Sequence, residues 1–149
     1  MMVVSLLLVL NFSIGVSASS GYDRQESDAC ITISERLSVK GGRKTVSVDY
    51  NGTSSSVYRG GNDFTVKSNE VKINKSTGNV KTTHGVSINV DPNNVSKFGG
   101  AYKIESIPEG LKIVQRGAKL EHFEIVPEYE MSLEEFQNLL NQIEISGPH

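Results

Sequence analysis

Residues 83–127 read "THGVSINVDPNNVSKFGGAYKIESIPEGLKIVQRGAKLEHFEIVP", and this stretch decides the fold class. Short β-like runs follow one another, separated by Gly and Pro. Apolar residues alternate with polar ones at period two, the pattern of a half-buried strand. His84 to Val90, Ala101 to Ile107, Leu111 to Arg116 and His122 to Val126 read as strands. Asn93 to Phe98, after Asp91-Pro92, reads as one helical turn or a short helix. The connections are too short for helical crossovers, so the strands must pair mostly antiparallel.

Upstream, Leu37 and Val39 alternate before Gly41-Gly42, and Val46, Val48 and Tyr50 alternate after it. Two glycines between such runs signal a hairpin, because a tight turn needs positive φ angles. Asn51-Gly52 with Ser54-Ser55-Ser56 reads as a loop, and Val57-Tyr58-Arg59 as a short strand stopping at Gly60-Gly61. Val71 and Ile73 alternate before a turn at Lys75–Gly78. Near the end, Ser132 and Glu135 have capping-box spacing, and Met131 can pack on Phe136 as a hydrophobic staple. Leu133, Phe136, Leu139, Leu140 and Ile143 form an apolar stripe at helical spacing. The expected fold is α+β, with mostly antiparallel, sandwich-like sheets and a C-terminal amphipathic helix packed on them.

The chain has 149 residues and a formal net charge of −2. Met1 to Ala18 has an apolar run, Val3 to Leu10, and small residues at Val16-Ser17-Ala18. That is the pattern of a secretory signal, too short to span a bilayer. Residues 19–30 read as a polar lead and 31–149 as one globular domain. A secreted protein without stable membrane association is expected. Cys30 is the single cysteine, so no internal disulfide staples the domain. Asn51, Asn74 and Asn94 begin glycosylation acceptor triplets, which matter only in a eukaryotic host. The slight negative charge gives no global attraction to nucleic acid or anionic lipid. Local clusters remain at Arg43-Lys44 and at Lys112, Arg116 and Lys119.

Alternation also assigns faces. Val86, Ile88 and Val90 face the core, leaving Ser87 on the other side beside Gly85, where a glycine leaves space for a ligand. His84 falls on the apolar side by the same count and reads as a structural histidine. In the last strand Phe123 and Ile125 face the core, while His122 and Glu124 share the opposite face at roughly 7 Å, within reach of one substrate. Arg59, before Gly60-Gly61, is of the type that binds phosphate bidentately.

The order of these residues resembles a known family. "VYRGG" (Val57 to Gly61), "HGVSINVDPNNVSKFGGAYKI" (His84 to Ile104) and "EHFEIVP" (Glu121 to Pro127) look like the three-part core of ADP-ribosyltransferase-like domains. That family carries an Arg on an early strand, a Ser on a second and a Glu on a later one. The block from Val57 onward is also similar to the small toxin domains that end bacterial polymorphic secreted proteins. The resemblance implies NAD as substrate. Arg59 would hold the dinucleotide, Ser87 would brace the groove, and Glu124 would stabilise the positive charge that grows on the ribose as nicotinamide leaves. Gly60, Gly85 and Tyr102 would also touch NAD, with an apolar wall around Phe123 and Tyr102. Ser87 is followed by Ile88-Asn89 rather than the usual Thr-Ser. His122 stands where many members with protein acceptors have Glu or Gln. The acceptor is therefore open among protein, nucleic acid, small molecule and water, and a toxin of this kind implies an immunity protein.

Two other readings stand beside this one. His84, Arg116, His122 and Glu124 supply the groups a metal-independent ribonuclease needs: a base, an acid and a cation for the scissile phosphate. The chain also fits a non-enzymatic secreted domain that binds a partner through its helix or a sheet edge. No metal is expected, since three His and one Cys show no ligand spacing.

Overall fold

The computed structural model describes residues 42–149. The signal-like segment, the polar lead, Cys30 and the Leu37/Val39 half of the first hairpin lie outside the described residues.

The element order is β1 (Arg43–Thr45), β2 (Val48–Tyr50), β3 (Thr53–Ser55), β4 (Tyr58–Gly60), β5 (Val86–Asn89), α1 (Pro92–Ser96), β6 (Ala101–Pro108), β7 (Leu111–Gln115), β8 (His122–Pro127), α2 (Leu133–Leu140) and β9 (Glu144–Ser146). Seven strands form one curled, wholly antiparallel sheet in the order β1-β6-β4-β5-β8-β7, with β9 also on β6. Lys103 pairs with both Tyr58 and Ser146, and Ser106 with both Thr45 and Glu144. One edge of β6 therefore takes β4 and then β1, and the other takes β9. A separate two-stranded ribbon joins β2 to β3.

The sheet-rich α+β expectation holds in this coarser form. A single curled sheet with a small ribbon replaces the two facing layers of a sandwich. Thr53–Ser55 is a strand, where a loop was expected: Asn51 (φ 53°) and Gly52 (φ 74°) both adopt left-handed backbone and close a two-residue hairpin. The expected strand at Val71–Ile73 reduces to isolated bridges, Ile73 to Val80 and Val80 to Met131. The eight-residue α2 is followed by β9, so it is not the last element.

α2 starts at Ser132, whose side chain accepts from the Glu135 amide at 3.1 Å. The return bond of a capping box is absent, because the Glu135 carboxylate accepts from Tyr129 Oη instead. Phe136 and Leu140 are fully buried, while Leu133, at the start of the expected stripe, is exposed. The core that they enter contains Val57, Val80, Val86, Ile104, Leu111, Phe123 and Ile125. Burial alternates along β5, with Val86 and Ile88 inside and Ser87 outside. On β8 the alternation fails, because Glu124 and Val126 are buried along with Phe123 and Ile125. Among the described residues no helix is long and apolar enough to cross a membrane.

Candidate functional site

The strands carrying Arg59, Ser87 and Glu124 are consecutive neighbours in the sheet: β4, β5 and β8. β5 and β8 are fully laddered, and Ser87 stands directly opposite Glu124, with Asn89 opposite His122. The Val90 amide bonds the Glu121 carbonyl on the β8 side, so alternation turns the Ser87 backbone groups the other way. Ser87 and Glu124 are thus a non-hydrogen-bonded pair, where facing Cα atoms lie about 4.5 Å apart and side chains approach most closely.

β4 and β5, by contrast, pair at one position, Tyr58 with Asn89. Past that pair the Ser87 carbonyl accepts from Arg59 Nη1 at 3.0 Å. The same Nη1 meets Glu70 Oε1 at 3.1 Å, and the guanidinium lies 5.9 Å from the centre of the Phe64 ring. Arg59 is only 7% exposed, and its Nε is buried without a hydrogen-bond partner among the described residues.

A groove of about 670 Å³ opens at this seam, lined by Arg59, Gly60, Glu70, Ser87, Ile88, Asn89, Val95, Phe98 and His122, among others. α1 forms one wall. Asp91 caps it and Pro92 occupies its first turn. Gly60 allows the close approach, since a Cβ there would stand 2.7 Å from the Val95 carbonyl oxygen and 2.8 Å from Phe98 Cβ. Phe98, just beyond the helix, is 63% exposed at the rim.

Glu124 does not line this groove. Its Oε2 accepts from the Gly85 amide at 3.2 Å, and its Oε1 lies 3.6 Å from Arg116 Nε. Burial lifts the carboxyl above the usual glutamate range, opposed by the Gly85 N–H, Arg116 and His122. Arg116 Nη2 in turn stands 2.8 Å from His84 Nε2. Burial, with the positive charges of Arg116 and Lys72, holds His84 below the usual histidine range, so the neutral ring accepts from Arg116. His122 Nδ1 lies 2.9 Å from the Arg116 carbonyl.

Several expectations change here. Gly85 leaves no open space: a Cβ would stand 1.8 Å from the Ile125 carbonyl oxygen, so the closely approaching group is the backbone of β8. Tyr102 and Phe123 are not among the groove residues, and the apolar lining comes from Ile88, Val95 and Phe98. His84 is removed from the apolar side, because the strand begins only at Val86 and the alternation does not extend back to it. Glu70 and Phe98 escaped the sequence reading. Glu70 lies in an irregular segment without periodicity, while an aromatic just after a short helix was a usable signal for Phe98. Arg43 and Lys44 are engaged with Glu144 and Glu128. Among the described residues no group of three His, Cys, Asp or Glu side chains is placed to hold a metal ion. No family model, curated protein or solved structure matches the chain.

Proposed function

We propose that the chain is a secreted, toxin-like enzyme that cleaves NAD and transfers ADP-ribose to an acceptor or to water. The observation that carries this reading is the adjacency of β4, β5 and β8, which sets Arg59 across one seam from Ser87 and Glu124 across the next. NAD would lie in the groove. Ser87 and Asn89 would contact its ribose or amide groups, and exposed Phe98 offers an aromatic face to a ring. Arg59 is already bonded to Glu70 and Ser87, so in this reading it shapes the groove wall more than it captures a free phosphate. Glu124 rests on Gly85 and Arg116 outside the groove lining, so in this reading its carboxylate swings past Ser87 to stabilise the cationic ribose as the bond from C1′ to nicotinamide breaks and nicotinamide leaves with the electron pair. A buried carboxylate suits this role, because attraction to a developing positive charge grows where water is excluded. Export through residues 1–18 and an immunity protein in the producing cell complete the toxin reading.

The ribonuclease reading draws on the cluster of His84, Arg116, His122 and Glu124. It stands second because both ring nitrogens of His84 are occupied, one by Arg116 and the other by Thr83 Oγ1. That leaves His122 as the acid and Glu124 as the base, with the cation Arg116 already engaged by Glu124 and His84. The deciding experiment follows nicotinamide release from NAD by the full chain. Release that disappears in Glu124→Gln supports the proposal; RNA cleavage without NAD, lost in His122→Ala, replaces it.

A further inference from the structure

His122 has two sides. It lines the groove at the β4–β5 seam, and it also lines a second pocket of about 340 Å³ between α1 and the β7–β8 loop. The two spaces share Asn89, Asn94 and His122 in their linings and so adjoin at the imidazole. Lys97, Arg116 and Lys119 line the second pocket, against the single carboxylate of Glu121. The ring orientation is set: a carbonyl only accepts, so Nδ1 carries the proton toward the Arg116 carbonyl, and Nε2 of the neutral ring keeps its lone pair.

We infer that this second pocket is the acceptor site of the enzyme proposed above, that it takes a nucleotide unit, and that His122 Nε2 is the base that activates the acceptor hydroxyl. The inference rests on NAD occupying the adjoining groove. Three cations repel a guanidinium or ammonium acceptor. A carboxylate acceptor attacks in its ionised form and has no proton for an imidazole to take. An acceptor suited to both features is an anion whose nucleophile is still protonated. A nucleotide meets this: its phosphate pairs with Lys97, Arg116 and Lys119, and its hydroxyl turns toward His122. The hydroxyl oxygen bonds to C1′ of the NAD ribose, its proton passes to Nε2, and nicotinamide departs with the pair from the broken C1′–N bond. A phosphate on Arg116 also competes with Glu124 for that guanidinium, freeing the carboxylate to meet the cationic sugar.

The test gives the full chain NAD together with adenosine, adenosine monophosphate or a 5′-phosphorylated oligoribonucleotide, and measures the ratio of ADP-ribosylated product to free ADP-ribose. The phosphate-bearing probes are expected to be modified and adenosine not. The mononucleotide and oligonucleotide arms separate a free nucleotide from a strand end. Lys97→Glu and Lys119→Glu should each lower the ratio about tenfold, the loss of one charge-assisted contact. His122→Gln should lower it about a hundredfold, as expected for loss of a general base. Lys75→Glu, in a distant turn, should leave it unchanged. Anisotropy of the labelled oligonucleotide without NAD should show weaker binding in both lysine variants. Nicotinamide release yielding only free ADP-ribose, or modified protein only, overturns this inference alone. Absence of any release, or cleavage of the oligonucleotide without NAD, overturns it together with the proposed function.

Discussion

Two seams of the same sheet behave differently. Between β5, β8 and β7 the ladder is continuous, with four registered pairs on one side of β8 and five on the other. Val86, Ile113 and Ile125 close its inner face. Between β4 and β5 a single pair survives, and a charged side chain, Arg59, spans the remaining gap. The continuous seam positions residues; the broken one leaves the groove open. Ser87 belongs to both, with its carbonyl toward the gap and its side chain opposite Glu124. A rigid element beside an opening is what a binding site needs, because groups fixed by a ladder cost no reordering when substrate arrives.

Breaking the open seam should have the largest effect. Arg59→Ala leaves the half-buried Glu70 carboxylate with the Lys67 amide but without its counter-charge, and the Ser87 carbonyl without the Arg59 donor. The expected loss of stability is about 3–5 kcal/mol, measured by urea unfolding. A loss under 1 kcal/mol would show that the gap holds without Arg59.

Glu124→Gln probes the closed seam at its functional position. Nicotinamide release should fall about 10²–10³-fold. Stability should move the other way. The native carboxyl binds its proton more tightly than in the unfolded chain, so the wild type loses stability as pH rises from the ordinary glutamate value through the raised native one. Glutamine removes that slope, and its melting temperature at pH 7 should equal or exceed that of the wild type. In the wild type, release should decline with acidification at a pH above the ordinary glutamate range, as the carboxylate is protonated.

Gly85→Ala strikes the closed seam just before β5, where the backbone of β8 crosses. The added methyl would overlap the Ile125 carbonyl, a backbone atom that cannot turn aside. A cost of about 1–3 kcal/mol follows, with a loss of activity as the Gly85 amide moves away from Glu124. If activity survives unchanged, that amide does not set the carboxylate.

Ser132→Ala is the mildest and sharpens the contrast from outside. It removes the α2 cap, at about 1 kcal/mol by thermal melting, and should leave NAD turnover per folded molecule unaltered. Coupling between this cap and the groove would mean that the site depends on α2 as well as on the sheet.

Much of the architecture was legible in local pattern. β6, β7 and β8 fall within a residue of the runs read for them, although burial alternates on β7 and not on β6 or β8, and α1 follows Asp91-Pro92, because a proline acts through neighbouring residues alone. Asn51-Gly52 carried a hairpin signal that the serine run beside it obscured. What failed did so where neighbours in space override neighbours in sequence. Gly85 looked like open space and is a crossing point for β8. Tyr102 looked like a wall of the groove, and Phe98 stands there instead.

The sequence by itself determined the antiparallel, sheet-rich class, the inward side of β5, the Ser132 cap of α2 and the residue types from which a site is built, since these depend on period, φ preference and hydrogen bonds a few residues long. Only the tertiary structure decided that β4, β5 and β8 lie side by side, that Arg59 pairs with Glu70, and that the Glu124 carboxylate meets Gly85 and Arg116. Strand order and burial arise from contacts between distant parts of the chain, and no local pattern encodes where a ladder will lapse.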